Sequence, residues 1–201
     1  MNEQTPQDPP PVRKRSLSRP RRALRALLAT LDPRSWAHGL KLLNYYNYSH
    51  VIPRRSMSIG ANAAISPNAI FSNPERIVIG RGLNLGARCH LWAGPSRGRI
   101  VIGDDVLFGP EVMVTAASYR FNDGQPVTAQ AMDEADVIIG NDVWIATRVT
   151  ILPGTVIGDG AVIGAGAVVR GEIPPFAIAV GTPARVVGHR QITQDAAASD
   201  A

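Results

Sequence analysis

One cysteine, Cys89, occurs among 201 residues. That scarcity excludes an intramolecular disulfide framework and any metal site built from several cysteines, and it is compatible with a reducing compartment. Aromatic residues are also sparse, with four Phe, four Tyr and three Trp against 19 Gly and 16 Pro. The balance points away from a helical bundle and toward a turn-rich fold packed from small and branched aliphatic side chains. No apolar run approaches the roughly 20 residues that a membrane span requires. The opening MNEQTPQDPPPV lacks the order of a secretory signal, so a cytoplasmic protein is the expectation.

The formal net charge of +5 is unevenly spread. Seven basic residues and no acidic one lie between Arg13 and Arg25: Arg13, Lys14, Arg15, Arg19, Arg21, Arg22 and Arg25. The remainder is nearly balanced, so no nucleic-acid partner is expected. The basic stretch reads as a solvated tail, with peripheral contact to an anionic membrane surface or a polyanionic glycan as the alternatives.

What the sequence does have is a period of six. Ile139, Ile145, Ile151, Ile157, Ile163 and Val169 succeed one another in an unbroken phase, each usually followed by a small residue. The fourth residue after each is Val143, Val149, Thr155, Ala161, Ala167 or Ile173. The same register recurs upstream in triplets: Ile59, Ile65 and Phe71; Ile79, Leu85 and Leu91; Ile102, Phe108 and Val114. Extra residues enter only after every third hexad. Strand alternation interrupted by a turn every six residues places the first and fifth positions inward, and three such strands close a triangular coil. Five coils over residues 59–176 would stack at about 4.8 Å each into a prism about 24 Å tall, with a loop extruded over 120–138. Cys89 takes a fifth position, as a small buried hydrophobe. Amphipathic helices are excluded, because Gly or Pro in nearly every hexad would cost about 1 kcal/mol or more each in a helix interior.

The flanks read differently. Residues 1–22 form a Pro-rich basic tail expected to be disordered, and residues 23–58 a helical cap on the first coil. Asp32-Pro33 supplies an N-cap followed by proline at the first helical position. Residues 177–201 make a carboxyl-terminal segment and tail.

Three stretches carry a resemblance: IGNDVWIAT from Ile139, ILPGTVIGDGAVIGAGAVV from Ile151, and IPPFAIAVGTPARVV from Ile173. They resemble the hexapeptide-repeat acyltransferases, within which the maltose, galactoside and xenobiotic O-acetyltransferase group is most similar. The resemblance covers about residues 59–190. It implies a left-handed parallel β-helix, a homotrimer, and acetyl-CoA or another acyl-CoA lying in a groove between neighbouring prisms, with no metal. It also implies that Trp144, Thr147 and Ala165 line the pantetheine arm and that the Gly181–Arg185 loop, with Pro183 and Arg185, lies near the adenine end. Without the resemblance, Trp144 reads as a corner residue and Thr147 as a turn residue. Thr147 and Ala165 are one coil apart, so the repeat alone stacks them on one corner. Where the family often has Thr-Lys-Asp, this chain has Arg170-Gly171-Glu172, leaving Arg170, Arg185 or Arg190 to supply positive charge.

Acyl transfer to a hydroxyl calls for a general base with a pKa near 7, and the family places a histidine where the long loop leaves the prism. Here that position is Tyr119, whose ordinary pKa of about 10 is some 3 units too high for a base at neutral pH. The alternatives are Asp123 in the loop and His90, which ends a second hexad and is expected at a different corner. Positions that the family uses for a simple sugar read Gly86 and Gly94. The expected activity is therefore O-acylation of a glycan or sugar precursor. The alternative is a non-catalytic acyl-CoA-binding or scaffolding protein. A hydratase of the carbonic-anhydrase type would need three histidines near a coil interface, and only His90 lies within the repeats.

Overall fold

The computed structural model describes residues 18–191, in two compact units divided at Leu43/Asn44. Most of the expected amino-terminal tail, residues 1–17, and the last ten residues lie outside the described residues.

The first unit holds α1 (Arg19–Leu31) and most of α2 (Pro33–Tyr46). The Arg34 N–H donates to Asp32 Oδ1 at 2.9 Å, so the Asp-Pro pair starts α2 as its chemistry dictates. Trp36 Nε1 donates to the Thr30 carbonyl at 2.7 Å, tying the start of α2 to the last turn of α1. The first helix starts at Arg19, ahead of the boundary read from the sequence, so Arg19, Arg21 and Arg22 are helical rather than part of a tail.

The second unit is a parallel β-solenoid of about six turns. Its first sheet stacks Ser58–Ile59, Ile77–Ile79, Ile100–Ile102, Val137–Ile139, Val156–Ile157 and Glu172–Ile173. The second stacks Ala64–Ile65, Asn84–Leu85, Leu107–Phe108, Trp144–Ile145, Val162–Ile163 and Ala177–Val180, closed by the antiparallel Arg185–His189. The third stacks Ile70–Ser72, His90–Trp92, Met113–Thr115, Thr150–Ile151 and Val168–Val169. Five complete coils are thus followed by two sides of a sixth, one partial coil beyond the sequence expectation. The antiparallel strand covers the exposed edge of the last coil, which would otherwise offer unpaired backbone to another chain.

The core is one column of first- and fifth-position side chains, including Ile102, Val106, Phe108, Val112, Ile139, Val143, Ile145 and Val149, all nearly inaccessible. Cys89 belongs to this column, and burial pushes its thiol pKa up, which makes it a packing residue. Small second-position residues have a reason beyond turning: a Cβ on Gly109 would meet Thr147 N of the next coil at 2.6 Å. Backbone-to-backbone approach at Gly109 therefore excludes a side chain at that position. At the open end of the first coil, Asn47–Val51 and α3 (Pro53–Ser56) lay His50 over the core. Its Nδ1–H donates to the Ala69 carbonyl at 2.8 Å while the ring stacks on Tyr46 and tilts against Phe71.

Candidate active site

Each coil has three corners, here numbered in chain order. The third corner carries the long excursion. Thr115 Oγ1 donates to the Ala117 carbonyl at 2.8 Å, turning the chain off the prism. Ala117–Tyr119 then pairs antiparallel with Met132–Glu134, with Tyr119 opposite Met132. What the sequence suggests is a loop over 120–138 is a hairpin that leaves at Ala117 and rejoins at Val137.

The hairpin is pinned at its base by Glu134, whose carboxylate accepts N–H bonds from Gly98 and Arg97 (2.7 Å each) and from Ser96, together with the Ser96 hydroxyl. The Gly98 N–H is the main reason that its pKa falls to about 2, with the Ser96 hydroxyl next. On the second corner Glu111 is likewise lowered to about 2, by hydrogen bonds from Arg148 and then Arg88. A depressed carboxylate contributes stability that is complete above its unfolded pKa near 4.5 and lost as the pH falls through about 2. Acid unfolding of the wild type should therefore retain a component from these groups between those values. Glu134→Gln should flatten that component in a pH-dependent melting series and render the hairpin more susceptible to proteolysis at neutral pH.

Against the hairpin lies a cleft of about 680 Å³ whose lining includes Tyr119, Arg120, Asp123, Asp133, Leu152 and Arg170. Tyr119 is 48% exposed at its mouth. Arg120 is engaged within the hairpin, its Nε donating to Asp133 at 2.6 Å. The Asp123 N–H donates to Gln130 Oε1 at 3.0 Å, and Asp123 lines the cleft. Arg170 lies here, away from the Thr147 corner; its position after the third-sheet strand Val168–Val169 dictates this.

His90 does not occupy a corner. It begins the third-sheet strand His90–Trp92, beside Ile70 and Met113, and its Nε2 lies 3.1 Å from Ser72 Oγ. Burial pushes its pKa below the ordinary value, so the ring is neutral at pH 7.

Thr147 and Ala165 do share the second corner, both exposed. The Gly166 N–H donates to the Thr147 carbonyl at 2.9 Å, and Thr147 Oγ1 donates to the Pro110 carbonyl at 2.9 Å. The Gly181–Arg185 turn crosses above them: the Ala184 N–H donates to the Val168 carbonyl at 2.8 Å, and Thr182 Oγ1 donates to the Gly166 carbonyl. Pro183 and Arg185 are exposed there. Trp144 is not a corner residue. It projects from the outer face of the second sheet between Leu107 and Val162, in a shallow cleft of about 270 Å³ that also holds Arg190. Arg190 donates to Asp142 Oδ2 at 2.7 Å. Its place was unreadable from the sequence, as was that of Glu134, because both meet partners more than 30 residues away.

One chain thus carries Tyr119 on its third corner and Thr147 with Ala165 on its second, with the third sheet between. A prism corner is convex, so a ligand lying along the second corner needs a wall from elsewhere. Among the described residues no group of three or more His, Cys, Asp or Glu is placed to hold a metal ion.

Comparison with known proteins adds the following. Residues 136–171 match the family model described as bacterial transferase hexapeptide (six repeats). The chain is 35% identical over 169 residues to galactoside O-acetyltransferase of Escherichia coli K12, covering 77% of this chain and 79% of that protein. It is 44% identical over 101 residues to a probable acetyltransferase of Mycobacterium tuberculosis, but that match spans only 34% of the relative's length. Among solved structures, a galactoside acetyltransferase in complex with coenzyme A superposes with a TM-score of 0.64 at 30% identity, covering 78% of this chain and 81% of that one.

Proposed function

The chain belongs to the hexapeptide-repeat O-acetyltransferase family, and on that premise we propose that this acyltransferase moves an acetyl group from acetyl-CoA to a hydroxyl of a glycan or sugar precursor. The observation that carries the reading is the exposed second-corner stack of Thr147 and Ala165, crossed by the Gly181–Arg185 turn, in a fold whose solved relative is a complex with coenzyme A. A pantetheine arm laid along this edge meets small side chains, while Arg185 supplies a cation at one end. Trp144 offers an aromatic face on the adjoining sheet.

The reaction joins the acceptor oxygen to the thioester carbon and breaks the carbon–sulfur bond. The hydroxyl proton must leave the acceptor and a proton must reach the departing sulfur. Tyr119 serves both needs as a neutral phenol: its oxygen accepts the acceptor's proton while its own proton passes to the thiolate. Asp123 and Arg170 face the same cleft and orient the acceptor. Holding two reactants in register supplies roughly 7 to 11 kcal/mol of barrier reduction, more than the roughly 10² to 10⁴-fold that a general base adds. Positioning is therefore the dominant contribution in this site.

The active form is a homotrimer. The second sheet exposes Leu107 and Trp144 and the first exposes Ile138 and Val156, apolar side chains that a neighbouring prism would cover. Three-fold packing brings the third corner of one prism against the second corner of the next, so that Tyr119 meets the Thr147 stack. Light scattering at micromolar concentration should give three times the chain mass. A monomer would remove the shared groove, and with it this assignment of roles; acetyl transfer to glycan hydroxyls, measured as thiol release, tests the activity itself.

A further inference from the structure

Among the described residues, neither α1 nor α2 buries a single side chain. Helices of 13 and 14 residues are marginal in water unless a partner covers their apolar face. That face is well defined in α1. Leu24, Leu27, Leu28 and Leu31 follow the spacing of three and four that aligns side chains along one stripe, and all are more than half exposed. Arg21 and Arg25 flank the stripe, with Arg22 and Arg19 farther round. In α2, Trp36, Leu40 and Leu43 repeat the pattern at 65% mean exposure or close to it, each above 60%, and Arg34 and Lys41 lie on the opposite side. Neither helix contains an acidic residue.

We infer that α1 and α2 dock on the surface of an anionic lipid bilayer, with the leucines and Trp36 in the acyl boundary and the arginines among the phosphates. Charge decides for lipid over a second copy of this chain. Five of the solenoid's carboxylates, Glu75, Asp104, Glu111, Asp133 and Asp142, are paired with its own arginines, and Glu134, Asp136 and Asp159 are held by backbone N–H groups, so few remain for the helix arginines of a second copy, whereas a headgroup layer presents unpaired phosphates at high density. Neither helix is long and apolar enough to cross a membrane, so the contact is peripheral. This contact does not depend on the acetyl-transfer reading.

Flotation of the full chain with phosphatidylcholine vesicles, with and without phosphatidylglycerol, tests the inference, alongside light scattering of each sample. The chain should float only with the anionic vesicles, and the bound fraction should fall roughly tenfold as salt is raised from about 0.1 to about 1 M and the screening length drops from about 10 to about 3 Å. Leu27→Gln/Leu28→Gln, which keeps every charge, should lose flotation without changing the chain's oligomeric mass. Equal flotation with neutral vesicles, flotation indifferent to the double substitution, or no flotation at all would overturn it. So would a change of oligomeric mass in the double variant, which would assign the stripe to a second copy.

Discussion

Tyr119→Phe should lower acetyl transfer by roughly 10²-fold, within the range of a lost proton-transfer group, and leave coenzyme A affinity unchanged. The substitution removes one oxygen from a side chain at the mouth of the cleft, and neither the hairpin register nor the core depends on that atom. Tyr119→His should keep the rate or raise it, since an imidazole with a pKa near 6.5 accepts a proton at neutral pH far more readily than a phenol. The rise should follow a single ionisation in the pH profile. Arg120, its neighbour in sequence, is paired with Asp133. Wild-type activity indifferent to Tyr119→Phe would remove the phenol from the chemistry. The base would then be Asp123 of the same cleft, or the neutral imidazole of His90.

Ala165→Trp should abolish coenzyme A binding measured by calorimetry while the protein stays folded. Ala165 is exposed on the second corner, one coil above Thr147, and the inward column of Ile163 and Ala167 on either side of it is untouched. An indole there occupies the edge along which the pantetheine arm would lie. A loss of at least about 1.4 kcal/mol of binding free energy corresponds to the tenfold weaker affinity that calorimetry resolves. Retained affinity in a folded variant would place the coenzyme elsewhere on the solenoid, with the Trp144 and Arg190 cleft the next surface to substitute.

The solenoid was legible because its information is local and repeated. Nearly every inward position is apolar at a fixed spacing, so the sheets, the corners and the stacking of Ala165 over Thr147 could be read from a period of six. The N-cap at Asp32 was legible for the same reason, since its hydrogen bond spans two residues. The site's other features depend on partners that are remote in sequence. Glu134 is explained by Ser96, Arg97 and Gly98, whose backbone N–H groups carry no side-chain signature. His90 was expected at a corner because it ends a hexad. The turn is completed by Arg88, which takes the left-handed conformation, so the strand resumes at His90 and places the ring on a sheet face. Trp144 follows the left-handed Asp142 by the same two residues and likewise begins a strand. Arg170 is one of three arginines that could supply the positive charge missing from the family's Thr-Lys-Asp, and counting strands from Val169 puts it on the Tyr119 corner. Phase identifies inward and outward residues well; it is less exact about where a face ends and a corner begins.

Acetyl transfer with Tyr119 at the position where the resemblance implies a histidine is the function proposed for this solenoid. Its most direct test is the release of free coenzyme A thiol from acetyl-CoA, followed by the wild-type chain over a panel of glycans and sugar precursors, with mass spectrometry of the acceptor. Thiol release should require an acceptor and accompany the addition of one acetyl group to a hydroxyl. Coenzyme A binding with no acceptor-dependent thiol release across the panel would contradict it and make the protein a non-catalytic member of its family.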